Sequence, residues 1–311
     1  MHIPVLQKEV IEYLDPKPNE NFIDATFGFG GHSKEILKRN APRGKVLGIE
    51  LDPAIIKCLT PDVKHHKRLI LVNDSYSNLK EIVEKYNFRP INGILFDLGM
   101  SSWHLEKSGR GFSFQKDEPL DMRYNSLLLR SSRPIRKRRK ERRLREKGLR
   151  AGEILNKFPE KEIERILREY GQERFAKKIA KKIIEERKAK PIQTTFQLVE
   201  IVKRAIPKRY QNQRIHPATR TFQALRIAVN DELENLRKAL SQTLEVLKRG
   251  GRIVIISFHS LEDRIVKNFF RENSRKNILK VLTKKPITPS REEIQKNLRS
   301  RGAKLRAAIK L

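Results

Sequence analysis

The 311-residue chain has one cysteine, Cys58, which excludes an internal disulfide and a cysteine-based metal cluster. No apolar run is long enough to cross a bilayer, and no charged-then-apolar segment stands before the first expected strand. The expectation is a cytoplasmic protein with no membrane partner. There is no Gly-x-Ser-x-Gly elbow, so that type of serine hydrolase is excluded as well. Acids are scarce: 37 Asp and Glu face 69 Lys and Arg, giving a formal charge of +32 and a pI near 10.4. Such an excess calls for an anionic partner, with nucleic acid the first candidate. A hydrophobic fraction of 38% is enough for a real core, and the length suits two domains.

What is present is organised around one glycine-rich turn, from Asn21 to Ser33. It reads as a short buried strand (Phe22 to Thr26), a loop whose glycines let the backbone approach a ligand, and a helix beginning near Ser33. Strand, glycine turn and helix N-terminus is the device by which doubly wound sheets hold nucleotide-like ligands. A dinucleotide fingerprint would run Gly-x-Gly-x-x-Gly, whereas here the glycines are Gly28, Gly30 and Gly31, with Asp24 inside the strand. The dehydrogenase reading fails on that spacing. The pattern looks more like the S-adenosylmethionine (SAM) loop of a class I methyltransferase, with a plain glycine-rich corner as the competing reading.

Further apolar runs alternate with helical patterns. Lys45 to Glu50 closes on acids, and at this place in a doubly wound sheet a carboxylate takes a ribose diol, since its several acceptor sites suit two vicinal hydroxyls. Glu50 and Asp52 compete for that role, while Asp52-Pro53 also reads as a helix cap with proline at the first helical position. A third strand (Leu69 to Val72) leads to Tyr76, which either lies against an adenine or belongs to the core. A fourth (Ile91 to Asp97) ends on Asp97, where strand tips meet ligands. From about Lys107 to Arg214 the alternation is interrupted. Helical periodicity runs from Ala151 to Lys188, and Arg130 to Arg150 carries twelve Lys and Arg against two Glu, which predicts a disordered or partly helical arm suited to phosphates or simply solvated. Phe222 to Leu240 then forms one apolar stripe, a fifth strand covers Arg252 to Phe258, and Ser260 with Asp263 fits a variant capping box beside His259. The tail adds a strand at Ala303 to Ile309.

The segments Phe22–Ser33, Leu95–Ser102, Arg110–Phe114, Leu120–Arg123, Tyr170–Ala176, His216–Arg226 and Ser257–Lys267, in this order, resemble the bacterial 16S rRNA (cytosine-N4) methyltransferases of the MraW family over almost the whole chain. The resemblance implies an α/β fold: a Rossmann-like class I SAM-dependent methyltransferase with an inserted helical domain. The methyltransferase domain would be 1–112 and 214–311, and the inserted substrate-recognition domain 113–213, with a basic segment at 126–149. It implies SAM as methyl donor, and as target a cytosine in the decoding centre of 16S rRNA in the small ribosomal subunit; a homodimer stays open.

Carried over by position, the family's SAM contacts fall on Gly30, Gly31, His32, Asp52, Tyr76, Asp97 and His104, with relatives often having Phe at the Tyr76 position and Gln at the His104 position. The resemblance favours Asp52 over Glu50. The N4 amine of cytosine is a poor nucleophile, because its lone pair is delocalised into the ring, so the enzyme must align it and accept its hydrogen bond. Asp97 is the expected acceptor or positioner, or else a SAM contact only, and no metal is called for. The Asp/Ser-Pro-Pro-Tyr signature of DNA amino-methyltransferases is missing, and Cys58, in the helix after the second strand, is badly placed for C5 chemistry. Phe112, Phe114 and Trp103 are possible stacking surfaces for an extruded base, or packing at the domain junction. The rival class is a non-enzymatic RNA-binding or ribosome-assembly protein retaining a vestigial SAM loop.

Overall fold

The computed structural model describes residues 4–125, 148–211 and 215–311, so most of the basic segment lies outside the described residues. The strands are β1 (Phe22–Asp24), β2 (Val46–Glu50), β3 (Leu69–Asn73), β4 (Gly93–Asp97), β5 (Arg252–Ser257), β6 (Leu279–Val281) and β7 (Lys304–Lys310). They form one sheet in the order β3-β2-β1-β4-β5-β7-β6; β1 to β5 are parallel and β7 runs antiparallel to both β5 and β6. That order, with helices on both faces and β7 antiparallel beside β5, is a Rossmann-like α/β sheet.

The sheet is buried on both faces, as a parallel sheet must be, and its strands carry apolar residues of both parities. Phe22, Leu95, Val254 and Ile256 point to one side, packed with α1 (Gln7–Leu14) and α2 (Gly31–Arg39). Ile23, Ile94, Phe96, Ile253 and Ile255 point to the other, packed with α5 (Leu79–Lys85), α12 (Glu232–Val246) and α13 (Ser260–Arg275). Two short helices, α3 (Pro53–Cys58) and α4 (Pro61–Lys64), connect β2 to β3. The last helix of this unit is α14 (Arg291–Lys296).

Two compact units divide the chain: 1–99 with 233–311, and 100–232. The second is larger than the insert expected at 113–213. Its core explains why: Phe112 from the leading flank and Ala218, Phe222, Ala224 and Leu225 from the trailing flank are buried in the same helical cluster. Its helices are α6 (Ser102–Glu106), α7 (Ala151–Lys157), α8 (Glu160–Gly171), α9 (Ala176–Ala189), α10 (Thr195–Ala205) and α11 (Thr219–Asn230). The helices α8 and α11 meet closely, because a Cβ on Gly171 would come within 2.5 Å of the Arg220 carbonyl oxygen. The expected stripe from Phe222 to Leu240 is two helices, since Asp231 takes the left-handed conformation (φ 52°) and ends α11. That kink is braced: Tyr124 donates its backbone N–H to Asn230 Oδ1, and Arg226 pairs with the buried Glu232 at 2.8 Å.

Candidate functional site

Order reverses between β1 and β4, with β2 and β3 on one side and β5 on the other. The carboxyl ends of those two strands therefore flank the switch-point crevice in which open α/β sheets bind ligands. The chain leaves β1 at Asp24, two residues earlier than the sequence pattern predicts, and α2 begins at Gly31 rather than Ser33. Gly28 and Gly30 both have positive φ (55° and 75°), which lets the backbone turn tightly into the helix. A Cβ on Gly30 would also sit 2.6 Å from the Phe27 ring, so only glycine fits there.

Two carboxylates and one backbone N–H fix this loop. Asp24, fully buried, accepts the Ser33 hydroxyl at 2.7 Å and the Thr26 N–H at 3.3 Å. Burial pushes its pKa up against those two hydrogen bonds. Glu50 accepts the Gly28 N–H at 2.9 Å and the Asp52 N–H at 2.7 Å, so it ties the glycine loop to the end of β2. Its pKa is pushed up to about 7, first by desolvation, with the nearby Asp52 and Asp24 charges adding to it. Asp97, at the tip of β4, donates its own N–H to Thr26 Oγ1 at 2.6 Å, which locks the ends of β1 and β4 together.

His32, on the first turn of α2, is 5% exposed, and its Nε2 lies 3.5 Å from Asp97 Oδ2. That is beyond a good hydrogen bond. Among the described residues neither ring nitrogen of His32 has a hydrogen-bond partner, and neither has Asp97 Oδ1, although all three atoms are buried. Buried polar atoms without partners are rare enough to need a reason. Three of them at a switch point, beside a glycine turn and a helix N-terminus, fit a polar ligand such as SAM.

The remaining expected contacts divide. Asp52, fully buried, is a helix cap: its Oδ1 accepts the Ala54 N–H at 2.9 Å and Pro53 opens α3, which is the structural one of its two sequence readings. Tyr76, in a 3-10 turn after β3, packs edge-on to Phe96 with ring centroids 5.8 Å apart. His104 belongs to the helical unit; its Nδ1 is 2.9 Å from Ser101 Oγ, and its ring packs among Trp103, Phe112 and Tyr124. Phe112 stacks on Tyr124 and Phe114 on His216, so both rings already have partners within that unit. His259 and Glu262, rather than Ser260 and Asp263, cap α13: Glu262 accepts the Phe258 and His259 N–H groups, and His259 Nδ1 accepts the N–H of Glu262 at 3.4 Å. The sequence pattern does not reveal the tethering roles of Asp24, Thr26 and Glu50. Only Glu50 carries a local signal, as an acid ending an apolar strand.

No helix among the described residues is long and apolar enough to cross a membrane. The MraW methylase family model matches residues 1–311. A relative from Dictyoglomus thermophilum, named ribosomal RNA small subunit methyltransferase H, is 47% identical over 308 residues, covering 98% of this chain and 95% of its own. A relative of the same name from Caldicellulosiruptor saccharolyticus is 44% identical over 325 residues, covering 100% of this chain and 99% of its own. Matched end to end by the family model and by relatives at this identity, the chain belongs to the MraW methylase family.

Proposed function

We propose that the chain methylates the exocyclic N4 amine of a cytosine in the decoding centre of 16S rRNA, acting on the small ribosomal subunit in the cytoplasm. The reaction class, SAM-dependent methylation of small-subunit rRNA, comes with the family. The observation that supports this site for it is the buried pair of His32 and Asp97, with unpartnered polar atoms at the β1–β4 switch point. In this reading Gly30, Gly31 and His32 hold the amino-acid end of SAM, and Tyr76 borders the adenine. Asp52 is wholly enclosed with its Oδ1 on the α3 cap, so the ribose diol goes to Glu50, which keeps some exposure and whose oxygens each accept a single backbone N–H. His104, whose Nδ1 meets Ser101 Oγ, stays in the contact set on the resemblance.

Bound at this site, SAM supplies an electrophilic methyl carbon. Asp97 does the protein's part of the chemistry: its carboxylate accepts a hydrogen bond from the N4 amine, orients that nitrogen in line, and takes the proton that N4 gives up as it gains the methyl. The Thr26 hydroxyl holds the Asp97 backbone in register, and the helical unit, 100–232, recognises the rRNA. The assay is transfer from methyl-labelled SAM into small subunits, large subunits and free cytidine. Label in 16S rRNA of the small subunit alone is expected; label in large-subunit rRNA, or in none of the three, would overturn the reading.

A further inference from the structure

The exposed face of α9 carries a ridge of positive charge that the reaction site does not explain. Arg174, in the turn that leads into α9, is followed at steps of three and four by Lys177 or Lys178 and then by Lys181, so the three lysines line one side of the helix while Ala176, Ile179, Ala180 and Ile183 are buried on the other. Among the described residues none of the four has an ion-pair partner. The acids nearby are engaged elsewhere: Glu186 pairs with Lys182 and Arg204, Glu185 with Lys182, and Glu173 is buried and accepts the Phe175 N–H.

At the N-terminal end of the ridge, two guanidinium groups flank one ring. Arg174 lies over Tyr210 at 5.2 Å and over Phe175 at 5.7 Å, and Arg209 lies over Tyr210 at 5.0 Å. A guanidinium laid on an aromatic face loses rotamer freedom before any ligand arrives, and its N–H edge stays turned outward as a fork for phosphate oxygens. Three lysines along about 6 Å of helix, with two pre-oriented arginines at its N-terminal end, match a polyanion with closely spaced charges. A solubilising face needs no such ordering.

We propose that this face, formed by Arg174, Lys177, Lys178, Lys181, Arg209 and Tyr210, grips the sugar-phosphate backbone of the substrate RNA. It rests on the rRNA reading above and adds to it where the strand is held. The bonds are to phosphates, so they supply affinity and register without base choice.

The test uses the full chain with three sets of substitutions. The first is Arg174→Ala/Lys178→Ala/Arg209→Ala. The second, Arg174→Lys/Arg209→Lys, keeps the charge but not the fork. The third, Lys8→Ala/Lys57→Ala/Lys67→Ala, removes equal charge from exposed positions of the sheet unit. Binding of a 16S rRNA transcript is followed by fluorescence anisotropy across a salt series, and SAM binding by calorimetry. The first variant is expected to lower the slope of log K against log salt by about 2, at about 0.7 for each phosphate of a single strand that is no longer neutralised. The lysine pair falls between it and wild type, the third variant keeps the wild-type slope, and all three bind SAM as wild type does. With small subunits the first variant raises KM and leaves kcat unchanged. Equal slopes for the first and third variants would overturn the proposal, as would competition by polyglutamate as effective as that by RNA. The slope is read without any methylation, so failure of the methyl-transfer reading would show separately, as no product from wild type.

Discussion

Replacing Asp97 by Asn is expected to lower kcat for methyl transfer by about 10²–10³, the size of effect typical of losing a positioned proton acceptor, while SAM affinity changes by less than about tenfold, or 1.4 kcal/mol. The substitution is close to isosteric, and the bond that holds Asp97 in the fold uses its backbone N–H to Thr26 Oγ1, which the variant keeps. What it loses is the negative charge facing the crevice, 3.5 Å from His32 Nε2. An N4 amine can donate to a carboxylate from either of its hydrogens, whereas an amide offers one acceptor and one competing donor group. Single-turnover kinetics with saturating SAM and small subunits separate the roles. A fall in rate at constant SAM affinity identifies an acceptor. A large loss of SAM binding with an unchanged single-turnover rate would make Asp97 a cofactor ligand only.

The second large effect concerns Glu50 and pH. Its native pKa of about 7 lies above the ordinary value of 4.5, because desolvation disfavours the charged form. The folded state therefore holds this proton more tightly than the unfolded chain does. The contribution to stability is fully present below about pH 4.5, is lost as pH rises towards 7 and is constant above it. The total is about 3 kcal/mol, from 1.36 kcal/mol per pKa unit. Asp24, also raised, acts in the same direction, so the difference between wild type and Glu50→Gln is the informative quantity. Urea unfolding from pH 4.5 to 8 should show wild type losing about 3 kcal/mol more than the variant. Equal pH dependence of the two proteins would contradict the assignment.

The same carboxylate carries a binding prediction. Two ribose hydroxyls donating to Glu50 favour its ionised form, so SAM affinity in wild type rises with pH through about 7, and the rise disappears in Glu50→Gln. If Asp52 held the diol instead, Asp52→Asn would remove most of the affinity. On the present reading that variant chiefly weakens the α3 cap, by about 1 kcal/mol of stability.

The sheet was legible because buried parallel strands read as apolar runs, and its functional ends because acids follow them: Glu50 and Asp97 both close strands as expected. Less legible was which acid serves the backbone. Asp52 is both an acid after the second strand and a residue before proline, and its capping bond to Ala54 is visible only in three dimensions. The break at Asp231 was hidden because Phe222 to Leu240 keeps its apolar spacing across it; a left-handed residue leaves no mark in a hydrophobic pattern. The wider limits of the helical unit follow from tertiary packing of Phe112 and Phe222, which motif boundaries cannot reveal. His104 was placed by resemblance alone, and the structure adds a local partner for its Nδ1, Ser101 Oγ, that the sequence pattern does not mark. The tethers Asp24 to Ser33 and Asp97 to Thr26 join residues whose pairing depends on strand register.

The most direct measurement is mass spectrometry of nucleosides from 16S rRNA after small subunits lacking the modification are incubated with this protein and SAM. The account predicts N4-methylcytidine at one stoichiometric site in the decoding centre, absent when Asp97→Asn replaces the wild type over the same interval. A methyl group on cytosine C5, on a ribose oxygen or on another base would contradict it.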